Sequence, residues 1–364
     1  MEVVIRVDAS YEIGSGHVMR CLTLAEALRN RSVNVSFICR ELAGHLIEVI
    51  QRKSFRVHSL KLTRGCPQFS RTSGSLSHAS WLGVDQERDA EETLRVLSTK
   101  QKISWVVVDH YGIDHIWHSR VRRSETKIFV LDDLADRKHD CDLLLDQSYF
   151  GTDLHRYHKL TSENCKNLIG PRYTLLRPEF DHKLRINHAG AGPLRRIFIN
   201  YGGVDKFCMT TKTLEILFPC LPDHIAIDVV VGAKNKDLQH LRQICRASNV
   251  NLHINTTGIA KLMMNADLAI GCGGVVALER AFWGLPSIAI STALNQEETL
   301  RDMAAKGLVT LIKSLTELPK LVASAIHQPL KKIDLAVDNG TEIVVNHMLT
   351  NACGTSRHVD RITS

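Results

Sequence analysis

Twice along its 364 residues the chain repeats one phrase: a run of β-branched and apolar residues, a glycine-bearing turn, then an amphipathic helix. The first copy is "VVIRVDASYEIGSGHVMRCLTLAEAL", Val3 to Leu28; the second opens "RRIFINYGGVD". Further short apolar runs follow each copy: "VNVSFIC", "FRVHSL", "SWVVVDHY", "KIFVLDD" and "CDLLLDQS", then "HIAIDVVVG", "VNLHIN", "NADLAIGCGG" and "LPSIAIS". Such runs, separated by helical segments, are what a parallel sheet buried on both faces requires. Between Asn167 and Pro193 the pattern lapses, and Pro171, Pro178 and Pro193 mark a hinge there. The expected architecture is therefore α/β, with two Rossmann-like domains at 1–170 and 194–350, a hinge at 171–193 and a polar tail at 351–364.

Composition removes several function classes. No run approaches the roughly 18 apolar residues of a membrane span. The N-terminus enters a strand at once, with no basic and apolar leader, so a cytoplasmic location is expected. Ten cysteines lack any CxxC spacing, which suits reduced thiols better than disulfides or a zinc site. A net charge of +7 favours anionic ligands. The basic residues are spread out, without a dense block or aromatic interleaving, so nucleic acid is not an expected partner.

Glycines at the carboxyl end of a parallel strand let backbone N–H groups approach an anion, and the following helix presents its positive end. The chain has this arrangement at Gly14-Ser15-Gly16, at Gly202-Gly203 and at Gly271-Cys272-Gly273-Gly274. "GSGHVM" lacks the third glycine of the dinucleotide fingerprint, and no acidic residue ends "VNVSFIC". A Walker loop is absent too, so no cofactor is expected.

His17 follows Gly16 in the first turn of a helix whose apolar stripe is Val18, Leu22, Ala25 and Leu28. A helix start disfavours a nearby cation, which suits an imidazole that accepts a proton from water. From these residues alone His17 is either such a base or a group that satisfies helix-start hydrogen bonds. Asp8, ending the first strand, is placed to orient His17 or to bind substrate. His110, His115 and His118 cluster in "DHYGIDHIWH" without the partners a metal site needs, and Asp140-x-Asp142 reads as surface turn chemistry, so no metal is expected. The richest segment is "GCGGVVALERAFWGLPSIAISTALNQ": a glycine turn, then a helix bearing Glu279, then Asn295-Gln296 at the next helix start. A carboxylate at that point can accept both hydroxyls of a ribose while the turn faces a diphosphate.

Taken together, "RVDASYEIGSGHVMRCLTLAEAL", "WLGVDQERDAEET", "VVVDHYGID", "IGPRYTLLRPEF", "NYGGVD", "NADLAIGCGGVVALER" and "GLPSIAISTALNQ" resemble the UDP-sugar hydrolases of pseudaminic acid biosynthesis. Those enzymes act on UDP-2,4-diacetamido-2,4,6-trideoxy-β-L-altropyranose and are similar to the two-domain GT-B glycosyltransferases. The resemblance implies a GT-B architecture with an interdomain cleft and a UDP-sugar substrate held mainly by the second domain. His17 would be the catalytic base, in a "GxGHxxR" context completed by Gly14, Gly16 and Arg20. Gly202, Gly203, Gly273 and Gly274 would meet the phosphates, Gly258 and Ile259 the uracil, and Glu279 the ribose. Asp8, Gly14, Gly16, Arg20, Tyr111, Arg177, Asn295 and Gln296 would meet the substrate, near the sugar or phosphate. Before the ribose glutamate this chain has Val276, Ala277 and Leu278 where members of the family commonly have hydroxyl residues and a Trp. The alternative is a GT-B glycosyltransferase using the same pocket with a sugar or lipid acceptor.

Overall fold

The computed structural model describes residues 1–62, 76–148, 151, 153–185, 193–246, 249–328, 330 and 337–352. Residues 63–75, part of the expected hinge at 186–192, and most of the expected polar tail, 353–364, lie outside the described residues.

Strands β1 (Glu2–Val7), β2 (Asn34–Arg40), β3 (Arg56–Leu60), β4 (Trp105–Asp109), β5 (Lys127–Leu131), β6 (Leu143–Asp146) and β7 (Lys166–Ile169) form the first sheet, in the order β3-β2-β1-β4-β5-β6-β7. The second sheet holds β8 (Arg196–Asn200), β9 (Ala226–Val231), β10 (Val250–Ile254), β11 (Leu268–Gly271), β12 (Ser287–Ile290) and β13 (Thr310–Ile312), in the order β10-β9-β8-β11-β12-β13. Every pairing in both sheets is parallel. The apolar runs of the sequence become these strands because helices cover both faces of each sheet, so both side-chain rows are buried.

In each sheet the strand order reverses beside the first strand, between β1 and β4 and again between β8 and β11. Such a switch point opens a crevice at the carboxyl ends of the strands, where ligands bind in open α/β sheets. The register places Val7 opposite Asp109 in one crevice and Asn200 opposite Gly271 in the other. All three glycine turns picked out in the sequence therefore emerge at these two points.

The helix Gly16–Asn30 is buried more widely than its apolar stripe predicted: Cys21, Leu24 and Ala27 are also inaccessible. The cause is a helix far down the chain. Thr341–Ala352, which the sequence pattern grouped with the second domain, packs on the first instead, placing Val344, Val345 and Met348 in the same core as Leu28 and Trp105. The Trp105 indole N–H also donates to the Met348 carbonyl at 3.1 Å.

The chain consequently passes between the domains twice. Leu175 belongs to the first core and the next residue, Leu176, to the second. The return crossing runs from Val337, in the second core, to Val344, in the first. The two crossings are laced together: Gly340 N donates to Thr174 O at 2.9 Å and Thr341 Oγ1 to Leu176 O at 3.0 Å. Gly340 is required by this contact, since a Cβ there would lie 2.3 Å from Tyr173 Cα.

Candidate active site

The first half of the site is built on the end of β4. Four buried apolar residues, Trp105 to Val108, carry Asp109 into the crevice, and pairing with β1 brings it beside the turn that launches the first helix. Asp109 is fully buried, and its carboxylate accepts from His17 Nδ1 at 2.5 Å, from Arg20 Nε and Nη2 at 2.7 Å each, and from Cys21 Sγ at 3.4 Å. Burial alone would push this carboxyl up; the Arg20 guanidinium and His17 outweigh it and hold the group well below the usual carboxylate range. Because the carboxylate takes Nδ1–H, the lone pair of His17 falls on Nε2. That nitrogen makes no hydrogen bond among the described residues.

Two expectations are corrected here. Asp8 does not orient His17: its carboxylate meets Arg6 Nη1 at 2.7 Å and accepts the Arg40 backbone N–H at 2.6 Å, wholly buried. Arg6 is in turn held by Asp89, so Asp8 belongs to an ion cluster beneath the crevice. Nor is Arg20 directed at a ligand, because it spans Asp109 and Asp133, reaching both Asp133 oxygens at 2.8 Å. Tyr111 donates its hydroxyl to Asp133 at 2.8 Å and stands edge-on to the His17 ring, centroids 4.6 Å apart. Trp81 stacks on Tyr111 at 5.7 Å, and His78 meets Trp81 at 4.5 Å, so an aromatic wall encloses one side of His17.

The sequence did carry a signal for Asp109 and Asp133, since each ends an apolar run that becomes a neighbour of β1 or β4. Trp81 opens the quoted segment "WLGVDQERDAEET", but nothing marked His78; the two come from the short helical turn Ala79–Leu82 and the residue before it. The three histidines near 110–118 diverge: Gly112 N donates to His110 Nδ1 at 3.0 Å, His115 is exposed, and His118 is buried against His139. Asp140 and Asp142 both hold Arg122 at the surface. Among the described residues no group of three or more His, Cys, Asp or Glu side chains is arranged to hold a metal.

The second half of the site faces the first. A Cβ on Gly203 would lie 3.0 Å from Ser15 Oγ, so the turn after β8 and the turn holding Gly14 and Gly16 meet across the cleft. Lys206 joins Glu12 across the same gap at 2.7 Å. No atom lies within 4 Å of a Cβ built on Gly14, Gly16, Gly202 or Gly274, which leaves open space along these turns. Gly202 and Gly274 both have positive φ, 86° and 77°, a conformation that glycine adopts without strain.

Gly274 caps the helix Val275–Phe282, with no side chain bonded to that cap and no acid in its first turn. Gly273 is committed differently from expectation: its N–H donates to Gln296 Oε1 at 3.2 Å, and the same oxygen accepts from Thr292 N at 3.1 Å. Gln296 thus pins the turn, and Asn295 beside it is half-buried. Ala277 and Leu278, standing where hydroxyl residues were the family pattern, are core side chains, and Val276 packs against the same core. Ile259 also points into this core, so only the backbone at Gly258 and Ile259 is available to a ligand. Glu279 is buried at the edge of the crevice and joined to Arg177 at 2.9 Å, and Arg177 also holds Glu179 at 2.9 Å.

The fold and the paired crevices define a class: two Rossmann-like domains facing each other across a cleft, as in the GT-B glycosyltransferases. Solved structures with this fold include MurG of Acinetobacter baumannii, at a TM-score of 0.62 and 13% identity over 96% of this chain and 99% of that one. The spinosyn rhamnosyltransferase SpnG complexed with thymidine diphosphate follows at 0.59 and 13%, covering 96% of both chains. LpCGTa in complex with UDP gives 0.57 and 14%, covering 98% of this chain and 96% of that one. No family model matches the chain.

Among individual proteins, the chain is similar to the UDP-2,4-diacetamido-2,4,6-trideoxy-β-L-altropyranose hydrolase of Campylobacter jejuni, 27% identical over 309 residues that make up 84% of this chain and 97% of the relative. It is also similar to the spore coat polysaccharide biosynthesis protein SpsG of Bacillus subtilis, at 22% over 84% of this chain and 82% of that protein. An uncharacterized protein of Methanocaldococcus jannaschii is 25% identical over 87% of this chain, which spans 61% of that relative's length. Among the described residues no helix is long and apolar enough to cross a membrane.

Proposed function

We propose that the chain hydrolyses a UDP-activated diacetamido-trideoxyhexose, releasing UDP and the free sugar, as one step in making a nonulosonic acid such as pseudaminic acid. The observation that carries the reading is the Asp109–His17 pair at 2.5 Å, set at the first switch point, which leaves Nε2 as the nitrogen free to accept a proton. In this reading Nε2 takes a proton from water as the water oxygen attacks the anomeric carbon. The bond from that carbon to the diphosphate oxygen breaks, UDP leaves with the electron pair, and the configuration inverts. A positioned base of this kind contributes about 10²–10⁴-fold to the rate.

UDP would be held by the second domain, with its diphosphate over the Gly202–Gly203 and Gly271–Gly274 turns, its ribose on Glu279 and its uracil against the Gly258–Ile259 backbone. Backbone donors and a helix start aimed at the leaving group stabilise the charge that develops there. Similarity to the C. jejuni hydrolase over nearly its whole length supports the substrate class.

The second reading is sugar transfer to an acceptor, favoured by the fold shared with glycosyltransferase structures. One experiment separates the two. Purified protein is incubated with the UDP-diacetamido sugar and no acceptor, and UDP is measured. Hydrolysis predicts stoichiometric release that depends on His17; absence of release until an acceptor is added would replace it with transfer.

A further inference from the structure

Among the described residues the buried arginines share a habit, with one exception. Arg6 meets Asp8 and Asp89; Arg20 meets Asp109 and Asp133; Arg40 meets Asp89 and Glu92; Arg137 meets Asp132 and Asp136. Each cation is paired with two carboxylates, as burial of a charge requires. Arg280 is completely buried and has no carboxylate within salt-bridge distance among the described residues. Its Nη2 donates to the Cys272 carbonyl at 2.6 Å, while Nε and Nη1 have no partner. The adjacent acid, Glu279, is taken by Arg177. The Cys272 thiol and the Tyr201 phenol nearby have their pKa values raised, chiefly by burial, and supply no anion.

The place where this uncompensated charge sits is informative. Arg280 lies directly beneath the turn that joins β11 to the helix Val275–Phe282, close enough that a Cβ on Gly271 would come 2.6 Å from Nη1. The same turn has open space beside Gly274, a helix start with no side-chain cap and no acidic residue in the first helical turn. A buried cation, a helix N-terminus and a glycine turn thus stack on one another, and the carboxylate that acts on Arg280, Glu279, is already engaged by Arg177.

We infer that Arg280 is a positioning residue whose missing counter-charge is the diphosphate of the bound nucleotide, so that the unliganded protein carries an electrostatic deficit that UDP fills. This rests on the proposed nucleotide site and extends it. Arg280 does not touch the ligand; it acts through the Gly271–Cys272 backbone that lies between them. An unpaired buried charge is unfavourable when the site is empty and favourable when an anion arrives, so the residue exchanges stability of the free protein for discrimination in binding.

The test measures dissociation constants of UDP and of uridine for the full chain, and urea midpoints without ligand, in wild type, Arg280→Gln and Arg280→Lys. Gln keeps a donor for the Cys272 carbonyl and removes the charge; Lys keeps the charge. Expected results are a UDP-to-uridine affinity ratio at least tenfold lower in Arg280→Gln, uridine affinity within twofold of wild type, and an unliganded midpoint no lower than wild type. Arg280→Lys should hold the ratio within threefold. Equal weakening of UDP and uridine in Arg280→Gln, or an unchanged ratio, overturns the inference. Should Arg280→Gln fail to fold, the Lys variant decides, since a collapsed ratio despite the retained charge also overturns it. Wild type that binds uridine and UDP equally would refute this role while leaving a nucleoside site standing; wild type that binds neither would remove the nucleotide reading itself.

Discussion

Asp109 closes β4 and holds His17 Nδ1 at 2.5 Å while two nitrogens of Arg20 grip the same carboxylate at 2.7 Å. His17 and Arg20 stand one helical turn apart, so a single carboxylate on a neighbouring strand organises both.

If that pair sets the base, Asp109→Asn should lower kcat for UDP release by about 10²–10⁴-fold with little change in KM, because an amide can present its donor to Nδ1 and stabilise the wrong tautomer. His17→Ala should fall within the same range. Steady-state kinetics on variants with native-like circular dichroism check this; Asp109→Asn retaining a third of the wild-type rate would overturn the assignment.

Glu279→Gln should weaken UDP binding about tenfold, the cost of losing one charged hydrogen bond to a ribose hydroxyl. The sharper readout is selectivity. Wild type should prefer UDP over its 2′,3′-dideoxy analogue, and the variant should bind the two alike in calorimetric titrations.

The Asp146 carboxyl, buried at the end of β6 and repelled by Asp133 and Asp132, is pushed up to about 8, burial being the larger cause. Between the ordinary carboxylate pKa of about 4 and this value the native protein holds a proton that the unfolded chain releases. Its contribution to stability is therefore complete below about pH 4 and is lost progressively as pH rises toward 8. Asp146→Asn, which carries no charge, should be more stable than wild type at pH 8, with the gap closing by pH 4. Urea midpoints at the two pH values measure it, and a gap that widened in acid would contradict the assignment.

Gly340→Ala should destabilise the protein by about 1–3 kcal/mol, since the added methyl meets backbone rather than a movable side chain. At an unstrained position the same change would stabilise by roughly 0.4–1 kcal/mol. Chemical denaturation gives the sign directly.

The sequence made the two sheets legible because each strand is buried on both faces and so is written as an unbroken apolar run. Strand-to-helix glycines located the crevices for the same local reason. What escaped was everything set by strand order rather than strand identity. Asp8 and Asp109 both end strands, and only the register of β1 against β4, together with Arg6 beneath, shows that the second of them faces His17. Likewise Gln296 was visible as a polar residue at a helix start, but its grip on Gly273 depends on a turn 23 positions away. The place of Thr341–Ala352 on the first domain could not be read from its own pattern, because an amphipathic helix does not say which core it covers.

That helix makes chain order and assembly order disagree. Residues between Leu176 and Val337 form a body inserted into another, and the outer core of the first domain is not closed until Val344, Val345 and Met348 are in place. Domains made on the ribosome ordinarily mature from the N-terminus onward. Here the second domain can finish while the first still waits, its apolar wall open for the time taken to synthesise everything between Leu176 and Thr341. The lobe that begins the chain is the last to be sealed, and a chaperone that acts on this protein during synthesis should be found on the amino-terminal half.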